Sequence, residues 1–193
     1  ELSRLSGEKQ FLLIFDEVQT GFGRTGKLFA FQNYNVRPDI LCLAKSIAGG
    51  APMGATVLTR SIADVLKPGM HASTFGGNYL VLSAAIAVLE VFEKENVLKK
   101  MLPVQKKLEK CFEGLRKKYS QIVQFRHLGM MFGIEMKHDY ALRIADLSLE
   151  EGLIINCTSG NVLRIMPALN LSSKDCDKGI KILEKVFAHA CKE

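Results

Sequence analysis

The chain has no C-x-x-C pair, no apolar run of membrane-spanning length and no initiating Met. Its five cysteines, Cys42, Cys111, Cys157, Cys176 and Cys191, are an odd number without zinc-ligand spacing. That excludes a disulfide framework and a structural metal site, and it points to reduced thiols in a cytoplasmic protein. The longest apolar run, Tyr79 to Leu89, is about half the ~20 residues a bilayer-crossing helix requires, and no basic-then-apolar segment opens the chain. No membrane partner is expected. A buried-strand pattern that begins only about ten residues in, with no Met ahead of it, leads us to expect a piece of a longer protein.

Aromatic residues are also missing from between the positive charges. Lys and Arg number 26 against 20 for Asp and Glu, a formal +6. Residues 94–119 carry nine basic and three acidic side chains, so 9 − 3 = +6 lies in that one stretch and the remainder is neutral. Met101, Val104, Leu108, Cys111, Phe112, Leu115 and Tyr119 recur there at spacings of three and four, the mark of an amphipathic helix with one buried face. The lysines form its solvated side. Without interleaved aromatics they offer no stacking surface, and no nucleic-acid partner is expected.

What is present is an ordinary globular balance, 48% hydrophobic and 24% charged over 193 residues, long enough to bury roughly 70% of the unfolded chain's surface. Phe11–Phe15 reads as a strand buried on both faces, as in parallel sheets, and ends at Asp16. After a glycine-rich stretch and a short helix, Asp39–Ala44 repeats the pattern and ends at Lys45. A third strand, Ala55–Thr59, follows a connection too short for a parallel crossover, so it should run antiparallel to the second. Residues 80–95 read as a largely buried helix with Asn78 as its N-cap. The basic helix comes next, with Pro103 starting or kinking it. Strands near 122–126 and 130–136, a helix near 140–151, strands near 153–157 and 162–166 and a helix from Ser172 complete the chain. The fold class expected is α/β, a mostly parallel sheet with one antiparallel strand over residues 1–95, followed by a small α+β domain over 96–193.

Two nucleotide motifs overlap in Gly21-Phe-Gly-Arg-Thr-Gly26-Lys27-Leu28. The G-x-G-x-x-G pattern would serve a dinucleotide-dependent oxidoreductase, but five residues separate the strand end from Gly21, and the candidate ribose acid, Asp39, stands at the start of its strand. The G-x-x-x-x-G-K pattern needs Ser or Thr where Leu28 stands. Turns that use positive φ and close backbone approach explain these glycines better. Asp16 and Lys45 are more informative, each at the carboxyl end of an apolar strand and one crossover apart, where open α/β sheets bind ligands. An amine beside a carboxylate in a partly desolvated crevice is what pyridoxal 5′-phosphate needs: Lys condenses with its aldehyde and Asp keeps its pyridine nitrogen protonated. A salt bridge, or two solvated strand ends, explains the spacing equally well.

The surrounding residues separate these readings. Leu12-Leu-Ile-Phe-Asp-Glu-Val-Gln-Thr-Gly-Phe-Gly-Arg-Thr-Gly26 resembles the class III, fold type I aminotransferases. Pro38-Asp-Ile-Leu-Cys-Leu-Ala-Lys45, Gly49-Gly-Ala-Pro-Met-Gly-Ala55 and His71-Ala-Ser-Thr-Phe-Gly-Gly-Asn78 resemble the same family in the same order. The resemblance continues through Gly129-Met-Met-Phe-Gly-Ile-Glu135 and Gly160-Asn-Val-Leu-Arg-Ile-Met-Pro-Ala-Leu-Asn170. It implies a cofactor-binding role for residues 1–95, with Lys45 bonded to pyridoxal phosphate and Asp16 on the pyridinium nitrogen. It also implies Val18 on a face of the ring, Gln19 near the phenolic oxygen and Thr74 reaching the phosphate of a neighbouring subunit, hence a homodimer with shared sites. Arg164 would clamp a substrate carboxylate, for which its planar fork suits it better than Lys.

The activity implied is transamination from an amino-acid donor, N-acetylornithine, to 2-oxoglutarate, a step of arginine biosynthesis. Ornithine, succinylornithine and 4-aminobutyrate are the alternative donors, and Asn156-Cys-Thr-Ser-Gly-Asn161 leans toward acetylornithine. The chain departs from the family pattern at Tyr79, where proline is usual, at His127, where glycine is usual, and at Pro103. The family's phosphate-binding turn, ring-stacking aromatic residue and another carboxylate-binding arginine precede the strand at residue 11. We therefore expect the isolated chain to have little or no activity.

Overall fold

A computed structural model describes residues 1–191. They fold as two units, Glu1–Asn96 and a second that begins at Val97.

In the first unit, α1 (Leu2–Lys9) leads to β1 (Ile14–Asp16), a 3-10 turn at Ala30–Asn33, β2 (Ile40–Leu43), a second 3-10 turn at Lys45–Ala48, β3 (Ala55–Leu58), α2 (Arg60–Ala63) and α3 (Tyr79–Lys94). β1 and β2 pair in parallel with Asp16 opposite Cys42, and β2 and β3 pair antiparallel, as the short connection requires. The order β1-β2-β3 leaves β1 at an edge. The expected strand from Phe11, buried on both faces, is therefore corrected: only Ile14–Asp16 is strand, and Phe11, Leu12 and Ile14 are exposed. Nothing in this unit covers their side of the sheet. The core is correspondingly small, with Phe22, Leu41, Leu43, Ile47, Ala48 and Ala85 buried.

Helix α3 begins where expected, and Asn78 caps it by accepting a hydrogen bond from the Leu80 amide at 2.9 Å. Its expected burial is not found. Of its residues only Ala85 is buried, because the helix, apolar over most of its circumference, rests on this unit along one side only, at the Lys45–Ala48 turn.

In the second unit, α4 (Val97–Lys118), β4 (Ile122–Leu128), β5 (Met131–Met136), α5 (Tyr140–Glu150), β6 (Asn156–Thr158), β7 (Val162–Ile165) and α6 (Ser173–Ala190) follow in order. Helix α4 buries Val97, Met101, Val104, Leu108, Phe112 and Leu115, the face read from the sequence. It starts before Pro103, which sits inside it, because the apolar spacing continues back to Val97 and outweighs one missing amide. The strands form an antiparallel sheet ordered β4-β5-β7-β6. Strand β5 alternates, with Phe132, Ile134 and Met136 buried in a core shared with α4, α5 and α6, and Met131, Gly133 and Glu135 on the opposite face. His127 takes part in this packing. It lies opposite Phe132, with ring centroids 5.4 Å apart.

Candidate active site

Asp16 and Lys45 lie at the same end of adjacent parallel strands. Asp16 closes β1 opposite Cys42, and the Glu17 amide continues the pairing by donating to the Cys42 carbonyl at 2.9 Å. Lys45 follows β2 after one extended residue. Its φ of 49° lies in the left-handed region, which costs a residue other than glycine about 1–3 kcal/mol and is characteristic of functional positions. Asp16 Oδ1 accepts from the Val18 amide at 2.9 Å, which folds the chain back after the strand and leaves Oδ2 unengaged. Among the described residues, no ion pair joins Asp16 to Lys45, and the Lys45 amine has no hydrogen-bond partner. Both side chains are exposed. The desolvated crevice expected for them is absent from this unit, since β1 is an edge and one wall of any crevice there is open.

Val18 and Gln19 are half-buried in the loop after β1. Glu17, which sequence reasoning passed over, anchors that loop. It is 2% exposed, and its carboxylate accepts from the Ala30 amide at 2.6 Å and the Phe31 amide at 2.8 Å, at the start of a 3-10 turn. A charged residue directly after a buried run was the available signal. Gly21 closes the same loop: a Cβ there would stand 2.9 Å from the Glu17 carbonyl oxygen, closer than carbon and oxygen pack. Gly23 and Gly26 have φ of 87° and 89°, so the glycine motif is a turn. It does not open a helix in the manner of a dinucleotide site, and Asp39 Oδ2 accepts from the Leu13 amide at 2.7 Å, tying β1 to β2.

Thr74 lies in the exposed segment between α2 and α3, and no described contact brings it to Asp16 or Lys45. Arg164 belongs to the second unit, on β7 between Gly133 and Asn156. It is exposed, has no described partner, and borders a cavity of ≈ 400 Å³ with Ile154, Asn156, Met166 and Leu171. Three thiols of that unit are held in the protonated form. Burial, helped by nearby Glu184, pushes Cys111 up to about 12, and burial also raises Cys176 and Cys191. No group of three metal-ligating side chains forms among the described residues, and no helix among them is long and apolar enough to cross a membrane.

Residues 1–187 match the family model for class III aminotransferases. The chain is 46% identical over 183 residues to the acetylornithine aminotransferase of Methanocaldococcus jannaschii, covering 95% of this chain and 46% of that protein. The solved acetylornithine aminotransferase of Elizabethkingia anophelis superposes with a TM-score of 0.90 at 35% identity, covering 97% of this chain and 48% of that one. The ornithine aminotransferase of Toxoplasma gondii superposes with a TM-score of 0.91 at 32% identity, covering 96% and 45%. The chain spans about half the length of the curated relatives it matches.

An acid and a lysine at the carboxyl ends of paired parallel strands thus lie within a fold shared with fold type I aminotransferases. The chain belongs to the class III aminotransferase family. That family works with pyridoxal phosphate, and the residues present fit it. One carboxylate oxygen of Asp16 and the amine of Lys45 have no described partner, which is the pair of free groups such a cofactor would require.

Proposed function

We propose that this chain is the Lys45-bearing part of a pyridoxal-phosphate aminotransferase that moves the terminal amine of N-acetylornithine to 2-oxoglutarate. The observation that carries the reading is the pairing of β1 with β2, which brings Asp16 and a conformationally strained, unpartnered Lys45 to one sheet end. Pyridoxal phosphate, when bound, supplies an electron sink for the substrate carbon bearing the amine. Asp16, through Oδ2, would keep the ring nitrogen protonated, and Glu17 holds the loop from which Val18 would pack on the ring and Gln19 would donate toward its phenolic oxygen. The Lys45 amine would hold the cofactor through its aldehyde and, when free, would move a proton at the donor carbon that bears the amine. Arg164 takes a substrate carboxylate in a two-pronged hydrogen bond.

In this reading the enzyme is a cytoplasmic homodimer of arginine biosynthesis, with Thr74 serving the phosphate of the neighbouring subunit. The names of the most similar relatives support acetylornithine as donor. Ornithine is the second candidate, supported by the equal structural likeness to ornithine aminotransferases, and a competition assay between the two donors decides it.

Borohydride reduction of the full-length protein with pyridoxal phosphate, followed by peptide mass mapping, tests the cofactor assignment. The expected product is a phosphopyridoxyl adduct on Lys45, lost in Lys45→Ala. Labelling elsewhere, or none, overturns the reading.

A further inference from the structure

The exposed face of the second unit's sheet carries a row of residues across all four strands: Arg126 on β4 opposite Gly133 on β5, Gly133 opposite Arg164 on β7, and Arg164 opposite Asn156 on β6. Two arginines thus flank a glycine. Glu135 lies two residues along β5 from Gly133 and shares its face. It pairs across with Gln124 on one side and Val162 on the other, so it is diagonal to Arg126 and to Arg164 alike. Diagonal neighbours are within reach of long side chains. One carboxylate therefore has two candidate guanidinium partners of equivalent register.

The structure shows which partner it takes. Glu135 Oε2 accepts from Arg126 Nη1 at 2.8 Å, and Gln124 Oε1 accepts from the same nitrogen at 3.1 Å. The stem of Arg126 crosses over the glycine, its Cγ and Nε each 3.6 Å from where a Cβ of residue 133 would stand. Arg164 is left with no partner among the described residues. Arg126 is itself compensated by Glu135 and doubly engaged at Nη1, so it is the poorer carboxylate receptor of the two.

We propose that Arg126 is a positioning residue whose task is to hold Glu135 away from Arg164, so that Glu135 does not occupy Arg164 in place of a ligand carboxylate. The inference rests on the reading of Arg164 as a carboxylate-binding residue. Without Arg126, Glu135 turns to Arg164 and competes with the ligand from within the protein. Ion pairs at this exposure are weak, so the competition weakens affinity by about three- to five-fold and leaves turnover largely untouched.

The test uses the full-length protein loaded with cofactor, with KM and kcat measured for 2-oxoglutarate and calorimetric binding measured for glutarate, an unreactive dicarboxylate. Arg126→Met should raise KM and the glutarate Kd by about three- to five-fold, with kcat within about two-fold. Arg126→Lys, which keeps a cation beside Glu135, should stay near the parent. The double variant Arg126→Met with Glu135→Gln should return to parent affinity, because the competing charge is gone, whereas a purely structural role for Arg126 would leave the double variant as impaired as the single one. An unchanged Kd in Arg126→Met, or no rescue in the double variant, overturns the proposal. Glu135→Gln alone should bind glutarate at least as tightly as the parent, and a loss there overturns the proposal even if Arg126→Met does not fold. Arg164→Met separates the two levels. If it leaves glutarate binding intact, the reading of Arg164 itself fails; if it weakens binding while Arg126→Met does not, only the role given to Arg126 fails.

Discussion

The second unit closes its core and the first leaves its own open. From Met101 to Cys191, the apolar residues of three helices and a four-stranded sheet meet in one cluster, with Phe112, Phe187, Ile134 and Leu163 almost wholly enclosed. In the first unit the buried cluster holds only six apolar residues, while Ile14, Val57, Leu66, Phe75, Leu80 and Ile86 are each at least half exposed. The sequence patterns of the two are equally apolar. What differs is the number of layers each unit provides, since a strand or helix is buried only where another element lies over it. The sharpest way to break this contrast is a pair of truncations in this chain. Phe187→Ala should cost about 3–5 kcal/mol, and Ile14→Ala no more than about 0.5 kcal/mol, as read from urea unfolding. Comparable losses would mean that the outer side of β1 is covered in solution.

A pair of glycines, one in each unit, sharpens the same contrast on a smaller scale. Gly21 faces the rigid backbone oxygen of Glu17 at 2.9 Å from its would-be Cβ, whereas the Cβ of residue 133 would meet the movable Arg126 side chain and Val162 at 3.6–3.7 Å. Gly21→Ala should therefore cost about 1–3 kcal/mol through overpacking, and Gly133→Ala about 0.5 kcal/mol or less. Thermal unfolding of both variants checks the order. Because Gly21 closes the loop that carries Val18 and Gln19, its substitution should also weaken pyridoxal phosphate binding more than that of Gly133 does.

The contrast also explains what could be read in advance. The buried face of α4, the antiparallel turn into β3, the cap at Asn78 and the start of α6 near Ser172 are set by spacing within a few residues, and they were legible. So were Asp16 and Lys45 as strand-end residues, because a strand's direction and its last apolar residue are local properties. The exposure of Phe11, Leu12 and most of α3 was not legible: it depends on which layers the unit contains, and periodicity is silent on that. Pro103 looked like a start or a kink because local propensity argues for one, but α4 already begins at Val97, where packing along the helix prevails. Glu17 was missed because its two amide partners lie more than ten residues away, in a loop whose path no short motif encodes. The Arg126–Gly133–Arg164 row was hidden for a similar reason, since it exists only once three strands are in register.

Where packing is thin, backbone terms carry relatively more weight, and the smallest expected effect lies there. Tyr79 is the first residue of α3 and is 87% exposed. Its amide belongs to the first turn, which has no intrahelical acceptor, so proline forfeits no bond there. The preceding residue is already suited: Asn78 has φ −58° and ψ 123°, within the extended region that a following proline imposes. The cap is untouched, because Asn78 accepts from the Leu80 amide and not from residue 79. Tyr79→Pro should thus stabilise the first unit by about 0.4–1 kcal/mol, by restricting the unfolded chain. Hydrogen exchange of the α3 amides, which reports on this unit separately from the closed core of the other, should slow to match, with no change in α4 or α6. Faster exchange in α3 would show that the Tyr79 ring or amide has a partner in solution, and that the open face of the first unit is less bare than its exposure indicates.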